Sequence, residues 1–472
     1  MHFKPCAFLV ASILAVMGAA VPVTSAPVPP PDNRKLARAI FEEIIDIPST
    51  DTRGTTPVAD ALAKRFAAAG FAPADMRELT PPGFPHHADL VVRLKGRTQG
   101  KPVLWIGHTD VVEAKPEDWT LPPFRLTEKG GYFYGRGTSD MKNDDAAMAA
   151  ALIRLRQEHF VPARDIVVAF TANEESGDAA DGMQWLTHAH RELIDAAAVI
   201  NPDSGGGAMQ HGRRLYLGLQ TSEKTYVTFT LEVTNKGGHS SQPRPDNAIY
   251  ELANGLIRLS HFDFPVALNA TTRAYFTKMA LLQSGHTRAD MLALAGAATD
   301  ARAATRLSAT TEYNALLRTT CIATMLAAGH AENALPARAE ATIQCRALPG
   351  DTVDGVKKAL VDALADPAIN VSLAEPVAAG PESPPTPEII AAVSQVSNSM
   401  WPGLPVIPVM DAGASDSVYT RAIGMPSYGV NGAFNDIDDM RAHGRDERLP
   451  VASFYEDVEF TYRLMKKLSG AG

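Results

Sequence analysis

The chain has 472 residues, of which 45% are hydrophobic and 21% are charged, a composition typical of a globular protein rather than a disordered, collagen-like or coiled-coil chain. Its 44 lysines and arginines and 53 aspartates and glutamates give a net charge of -9, which argues against a nucleic-acid partner because such partners favour a basic surface. Three cysteines exclude a disulfide-dense scaffold and a cysteine-rich zinc module, and the length predicts about two or three domains.

The first 26 residues have the layout of a secretory signal peptide. Lys4 precedes an almost wholly apolar run over residues 7–20, and small residues follow at positions 24–26. An apolar run of about 14 residues is shorter than the roughly 20 that a membrane-spanning helix needs. We therefore expect residues 1–26 to be a signal peptide, cut after Ala26 or alternatively after Ala20, leaving an exported protein, periplasmic or extracellular, with no membrane association.

The next part of the chain predicts an α/β domain. Short apolar runs alternate with helical patterns, and this alternation indicates a mostly parallel central sheet flanked by helices. The predicted strands are residues 90–94, 103–106, 166–170 and 196–200, with a helix over residues 144–157. This catalytic domain is predicted to comprise residues 27–220 and, after an insertion, residues 379–472.

The pattern changes near residue 221, where residues 226–233 alternate like a half-exposed strand. We predict an inserted, smaller α+β domain over residues 221–378, ending in a proline-rich return to the first domain. Cys321 and Cys345 lie in two β-like stretches placed symmetrically about Asn333, as antiparallel partners would be. Either a disulfide or two buried thiols fits this placement.

Acidic and imidazole side chains follow the predicted strands of the first domain. Ligands of open α/β sheets bind beyond the carboxyl ends of the strands, so these side chains are candidates for one site. In chain order they are His108, Asp110, Asp140, Glu174, Glu175 and Asp203, and His443 adds a second imidazole far along the chain.

These residue types suit a hydrolytic centre with two metal ions. Two such ions about 3.5–4 Å apart need a bridging carboxylate, and each needs further imidazole or carboxylate ligands. Ligands without thiolate favour zinc, cobalt or manganese. Asp110 lies two residues after His108 and can bind the second ring nitrogen of this histidine. Glu174 and Glu175 are predicted to point differently along an extended strand end, so one can bind metal while the other moves protons.

Seven segments together resemble the M20 family of metallopeptidases and aminoacylases, which includes glutamate carboxypeptidase, carboxypeptidase S, carnosinases, acetylornithine deacetylase and succinyl-diaminopimelate desuccinylase. The segments are GHTDVVEA, GRGTSDMKN, TANEESGD, NPDSGG, GGHSSQP, NALPARAEATIQCR and RAHGRDE, spread from about residue 90 to 450. The resemblance implies two zinc ions, with cobalt or manganese as alternatives, bridged by Asp140. His108 and Asp203 would complete one metal site, and Glu175 and His443 the other.

The resemblance also implies roles for residues around the metals. Asp110 would orient His108, and Glu174 would act as the general base that takes a proton from water and passes it to the leaving nitrogen. It further implies a cis peptide bond between Asp140 and Met141.

The inserted domain carries three further residues of the resemblance and would serve as a lid or dimerisation domain. His239 would stabilise the carbonyl oxyanion, either from a partner subunit or by closure of the domain. Arg346 would bind the substrate carboxylate, and Asn333 would contact substrate. Residues 411–419 depart from the family pattern, which often has an arginine here, so no role passes to this stretch.

We therefore expect an exported dinuclear zinc hydrolase that cleaves an amide or peptide bond next to a free carboxylate, as a carboxypeptidase or dipeptidase does, by metal-activated water with Glu174 as base. The alternatives are an N-acyl-amino-acid deacylase, an inactive peptide- or metal-binding protein on the same scaffold, and an aminopeptidase-type enzyme. The substrate would be a short peptide or an N-acyl amino acid, and the resemblance makes a homodimer through the inserted domain a further expectation.

Overall fold

The computed structural model describes residues 26–176, 180–296 and 299–470, so the predicted signal peptide lies, except for Ala26, outside the described residues. Among the described residues, helices α1 to α14 are, in chain order, Pro31–Ile45, Thr56–Ala68, Lys142–Gln157, Gly182–Ala189, Arg191–Ile194, Ala248–Ser260, Ala270–Met279, Gly285–Ala295, Ala301–Leu307, Thr311–Leu317, Val353–Leu364, Pro387–Met400, Ser417–Ala422 and Val451–Leu468. None of these described helices combines the length and the apolar character that crossing a bilayer requires.

The strands of the described chain form several sheets. Strands β1 to β19 are, in chain order, Met76–Leu79, Asp89–Leu94, Val103–His108, Thr127–Lys129, Tyr132–Tyr134, Ile166–Thr171, Ala198–Ile200, Gly206–Gln210, Arg213–Glu223, Thr225–Thr234, Gly238–His239, Thr320–Ala328, Ala334–Leu335, Arg338–Ala347, Asn370–Leu373, Val406–Asp411, Ser427–Tyr428, Phe434–Asp436 and Arg448–Pro450.

The central sheet has the strand order β1-β2-β6-β3-β7-β17. Its four last strands run parallel to one another, while β2 pairs antiparallel with β6 and β1 pairs antiparallel with β2. The predicted fold class, an α/β protein with a mostly parallel central sheet and a smaller α+β part, is therefore confirmed.

Helices cover both faces of this sheet because successive side chains of each strand point to opposite sides. On β3, Trp105 packs with α1, α3 and α14, whereas Leu104 and Ile106 pack with α4 on the other face. On the neighbouring strand β6, Val168 packs on the same face as Trp105, and Val167 packs on the face of Leu104 and Ile106. Burial on both faces explains why these strands are continuous apolar runs in the sequence.

A second sheet, with the order β16-β9-β8-β18, was not predicted from the sequence. In its apolar core, Phe276 of α7, Met291 of α8 and Leu317 of α10 pack with Ile407 of β16. The helical stretch that begins at residue 270 therefore builds its core with this sheet.

The third sheet, β12-β14-β10-β15, lies within the predicted insertion. Helices α6 and α11 cover one of its faces, where Leu252 and Leu360 join the buried residues of β10 and β14. Cys321 and Cys345 are directly opposed in the antiparallel pair β12–β14 and form a disulfide, which settles the alternative left open by the sequence. The domain boundaries at residues 221 and 378 stay a prediction.

We expect a buried pair of carboxyl groups between α3 and α14, Asp144 and Asp457, to make folding stability depend on pH. Burial raises the pKa of both groups, and the charge of Asp457 adds to the rise for Asp144. The folded state then keeps a proton that the unfolded chain has released. The contribution of the pair to the free energy of unfolding is fully present below the usual aspartate pKa. It is lost as pH rises through the raised pKa, by about 1.4 kcal/mol per pH unit.

Unfolding of the metal-free protein by denaturant at a series of pH values measures this dependence. Asp457→Asn should reduce the contribution of the pair, because only the burial of Asp144 remains to raise a pKa, whereas Asp32→Asn, which changes an exposed side chain of α1, should leave it in place. An identical pH dependence in wild type and Asp457→Asn would contradict the prediction.

Candidate active site

The site lies at the carboxyl edge of the central sheet. Strand β3 ends at His108, strand β6 ends three residues before Glu174, and strand β7 ends three residues before Asp203. Because these three strands are parallel, their ends meet at one edge. Two further loops complete the site, one carrying Asp140 just before α3 and one carrying His443 just before β19.

Asp140 stands between two imidazole rings. One of its oxygens, Oδ1, lies 3.2 Å from Nε2 of His108, and the other, Oδ2, lies 3.0 Å from Nε2 of His443. Asp203 Oδ1 is 3.5 Å from the first ring nitrogen, and Glu175 Oε2 is 3.0 Å from the second. The structure thus brings together the five residues that the resemblance implied as metal ligands, with Asp140 between the two imidazoles. The peptide bond from Asp140 to Met141 is cis, as the resemblance implied.

A second observation, independent of the family resemblance, also indicates that a cation fits among these side chains. Nε2 of His108 is buried and has no hydrogen-bond partner among the described residues. Burial opposes a positive charge on this ring, but the carboxylates of Asp110, Asp140 and Asp203 raise the pKa of His108 well above its usual value. Ligand atoms of His108, Asp140 and Glu175 all lie within 4.8 Å of one another. A buried ring nitrogen facing several carboxylates is an environment that favours a positive charge, which a divalent cation can supply.

Asp110 holds this arrangement through two kinds of contact. Its backbone carbonyl lies 3.1 Å from Nδ1 of His108, while its carboxylate oxygen lies 3.6 Å from the same nitrogen. In the neutral ring, donation from Nδ1 to the carbonyl would leave Nε2 unprotonated and able to bind a cation. The carboxylate itself accepts the backbone N–H groups of Glu174 and Glu175, at 3.2 and 3.0 Å.

The prediction of an extended strand end at Glu174 and Glu175 is wrong. Asn173 has a φ of 58°, in the left-handed region, and residues 174–176 form a turn. The turn presents two consecutive N–H groups to the Asp110 carboxylate, which extended backbone would direct to opposite sides. Burial raises the pKa of Glu174 well above its usual value, which favours a proton on this carboxyl group.

A cavity of about 780 Å³ opens over the candidate ligands. Arg346 of β14 lines it together with Glu174, and the Arg346 guanidinium lies 4.6 Å from the ring centre of Tyr226. Nε of Arg346 donates to Gln344 at 3.2 Å. Arg346 therefore faces the same space as the candidate ligands, and the carboxylate-binding role that the resemblance implied stays a prediction.

The structure does not bring His239 and Asn333 into this cavity. His239 is exposed in the short strand β11, where its Nδ1 accepts the N–H of Ser241, and it pairs with Ala334 of β13. Asn333 is exposed beside it, and its carbonyl accepts the N–H of Ser240. Neither residue lines the cavity in the described chain, so their roles stay predictions that require a partner subunit or a domain movement.

Sequence reasoning missed a buried ion pair that joins the two loops of the second candidate metal site. Glu447 is completely buried and accepts Nη1 of Arg136 at 2.6 Å. Its other oxygen accepts the N–H of Ser139, the residue before Asp140, at 2.8 Å. Arg136 Nη2 donates to the carbonyl of His443 at 3.3 Å. The arginine of GRGTSD and the glutamate of RDE were visible in the sequence, but nothing local indicated that they meet.

Replacing Glu447 with Gln is expected to weaken metal binding at the candidate site of Glu175 and His443 by about 10- to 100-fold, the usual cost of losing a residue that supports metal ligands. The amide cannot pair with Arg136 while accepting the Ser139 N–H as strongly, so both loops lose their anchor. Calorimetric titration with zinc measures the effect. Glu459→Gln, which alters another buried glutamate–arginine pair, is the control, and equal titrations of both variants would contradict the role of Glu447.

Comparison with known proteins places this geometry in context. Residues 104–467 match the sequence model of peptidase family M20/M25/M40. The human N-fatty-acyl-amino acid synthase/hydrolase PM20D1 is 27% identical over 376 residues, covering 78% of this chain and 74% of that protein. A probable carboxypeptidase S-like 2 from Dictyostelium discoideum is also 27% identical, over 80% of this chain and 74% of its own. The M20 family metallo-carboxypeptidase Sso-CP2 from Sulfolobus solfataricus shares the fold, with a TM-score of 0.68, 18% identity and coverage of 92% and 99% of the two chains.

Proposed function

Because the chain belongs to peptidase family M20/M25/M40, a family of metal-dependent enzymes that hydrolyse amide and peptide bonds, we propose that it is an exported dinuclear zinc hydrolase. The amide or peptide bond that it cleaves would lie next to a free carboxylate, as in the substrates of a carboxypeptidase or dipeptidase. The observation that carries this proposal is the pair of imidazoles on the two oxygens of Asp140, which lines the same cavity as Glu174 and Arg346.

Each candidate ligand has a role in this proposal. His108, Asp140 and Asp203 would hold one zinc ion, and Asp140, Glu175 and His443 would hold the other. When bound, the two ions would supply Lewis acidity, which polarises a carbonyl and makes water a stronger acid. The carboxylates would fix the positions of the ions, and Asp110 would keep the His108 ring in the tautomer that leaves Nε2 free.

Glu174 would move the proton. Burial raises its pKa well above the usual value, which would make the carboxylate a stronger base toward water and would stabilise the carboxylic acid once it holds the proton. The same proton would then pass to the nitrogen of the leaving amine, since an amine is a poor leaving group until it is protonated. No other residue type in the cavity is needed for this transfer.

Arg346 would bind the carboxylate of the leaving amino acid. Arg346→Ala is expected to raise KM for a carboxylate substrate by about 10- to 100-fold, because a charged hydrogen bond contributes about 1.5–3 kcal/mol. KM for the matching C-terminal amide should change little. Arg338→Ala, on an exposed arginine of the same strand, is the control, and an equal rise in KM for both substrates would exclude this role.

A second candidate function, deacylation of N-acyl amino acids, is favoured by the human relative, whose name describes N-fatty-acyl-amino acid synthesis and hydrolysis. An inactive binding protein on the same scaffold is the remaining alternative. A panel of dipeptides and N-acyl amino acids, scored by released primary amine with and without a chelator, separates the three. Chelator-sensitive release supports the hydrolase, and the preferred panel members identify the branch. Absence of release from every compound by zinc-loaded protein would contradict the proposal.

We further propose a homodimer through the inserted domain. Strand β12 is an edge strand that exposes Ile322, Met325 and Leu326 by about two-thirds each, at 67%, 69% and 67%. Exposed apolar edge strands favour pairing with a second chain. Such a dimer would also offer His239 to the site of the other subunit. Light scattering should give twice the chain mass, and Ile322→Lys should reduce it while Val161→Lys, on an exposed valine elsewhere, should not.

A further inference from the structure

The residue before Glu174 is held by two loops that lie outside the seven segments of the family resemblance. Asn173 is 1% exposed, and its Oδ1 lies 2.6 Å from Nδ1 of His87, in the loop between β1 and β2. Its Nδ2 donates to Oδ1 of Asp51, in the loop between α1 and α2, at 3.3 Å. Neither His87 nor Asp51 is among the described residues that line the cavity over the candidate ligands. Their contacts therefore reach the site through the backbone that leads to Glu174.

The chemistry of the three side chains fixes the direction of both hydrogen bonds. An ionised carboxylate accepts hydrogen bonds and donates none, so the Asn173 amide turns its nitrogen toward Asp51 and its oxygen toward His87. Because an amide oxygen only accepts, Nδ1 of His87 must carry the hydrogen. Nδ1 carries a hydrogen in one neutral tautomer and also in the protonated ring, so the contact can form in both.

The two loops that hold this side chain are also held to each other. The backbone N–H of Thr56 donates to the carbonyl of His86 at 3.1 Å. Gly54 approaches the same carbonyl so closely that a Cβ atom on it would lie 2.1 Å from the oxygen, and its φ of 78° also favours glycine. His87, the next residue, therefore extends from a backbone that is fixed by its neighbours.

These contacts act on the turn that carries Glu174. Asn173 has a φ of 58°, and asparagine adopts this left-handed conformation more readily than most residues other than glycine. The carboxylate of Asp110 holds the next two residues of the turn by accepting the N–H groups of Glu174 and Glu175. Among the described residues, the carboxyl group of Glu174 has no hydrogen-bond partner of its own. Its position therefore depends on how firmly the backbone of this turn is held.

We propose that His87 and Asn173 are positioning residues, which hold the carboxyl group of Glu174 in the place that proton transfer requires. The assignment rests on the proposed amide hydrolysis, in which Glu174 moves the proton. A displacement of about 1 Å at a reacting group can lower a rate by about 100-fold, so loss of the contact between His87 and Asn173 is expected to lower turnover. Substrate binding should change little, because Arg346 lies on β14, in a different sheet.

The turnover of zinc-loaded His87→Ala tests the proposal. We expect kcat to fall about 10- to 100-fold, with KM and zinc content close to the wild-type values. In His87→Asn the side-chain amide nitrogen can take the place of Nδ1, so most of kcat should return. His86→Ala is the matched control, because the adjacent histidine is exposed and contacts the neighbouring loop through its backbone carbonyl. Wild-type kcat in His87→Ala, equal losses in His87→Ala and His86→Ala, or no recovery in His87→Asn would overturn the proposal.

Asn173→Gly separates the side chain from the backbone conformation. Glycine keeps the left-handed φ at residue 173 but removes the amide that His87 contacts. Its kcat should fall at least as much as that of His87→Ala. Adding His87→Ala to Asn173→Gly should cause no further loss, because both changes remove the same contact. Losses that multiply in the double variant would contradict a shared role.

Crystal structures of zinc-loaded wild type and His87→Ala distinguish a failure of this proposal from a failure of the proposed function. A Glu174 carboxyl group displaced by about 1 Å in the variant would support the positioning role, even if wild type releases no amine, a result that would contradict hydrolysis. An unmoved Glu174 would overturn the positioning role. If wild type releases amine in that case, the proposed hydrolysis stands.

Discussion

Glu174→Gln is expected to lower turnover by about 10²- to 10⁴-fold, the range seen when a general acid–base group is lost, while the two proposed zinc ions stay bound. The glutamine has almost the same shape but can neither accept nor release the proton that water must lose. Glu174 also lies outside the set of candidate ligands around Asp140, so the metal content should not fall.

Turnover and metal content measured on the same protein sample check this prediction. Glu375→Gln is a suitable control because Glu375 also lines the cavity but contacts none of the candidate ligands in the described structure. Turnover near that of wild type in Glu174→Gln would remove Glu174 from the mechanism. A fall in zinc content would instead show that Glu174 serves the metal site.

Asp140→Asn is expected to reduce zinc content from two ions and to lower turnover by more than about 10³-fold. The asparagine offers one neutral oxygen where two charged oxygens now face His108 and His443. A metal ion provides several kcal/mol of transition-state stabilisation, so loss of the shared carboxylate removes a large share of the rate.

Inductively coupled plasma analysis after dialysis gives the zinc content of Asp140→Asn, and amine release gives the rate. Thermal unfolding of both proteins in chelator is the control, since a purely structural defect would lower the unfolding temperature without metal. Two zinc ions per chain in the variant, with the wild-type rate, would refute a bridging role.

The central sheet and the strand-end ligands could be predicted because their signals are local. Trp105 and Val168 lie in short apolar runs, and His108 comes at the end of one of them, so sequence alone placed it at the sheet edge. The second sheet could not be predicted in this way. Strand β8 includes Gly206 and Gly207, and β18 has three residues, so neither has a clear apolar pattern.

Contacts between distant parts of the chain were beyond sequence reasoning. Arg136 and Glu447 are 311 positions apart, and no local pattern relates them. The turn at Glu174 depends on the carboxylate of Asp110, 64 positions earlier. The predicted roles of His239 and Asn333 depend on a second subunit or on a domain movement. A single chain in one conformation contains neither.

The disulfide between Cys321 and Cys345 has a practical consequence for how the protein should be made. It closes a loop of 24 residues, for which the entropic estimate is about 3 kcal/mol of stabilisation. Protein produced in a reducing cytoplasm would carry two thiols instead, and its edge strand β12 would be held less firmly to β14. Preparations from reducing and oxidising hosts are therefore expected to differ in self-association, and counting alkylatable thiols by mass spectrometry would reveal which form is in hand.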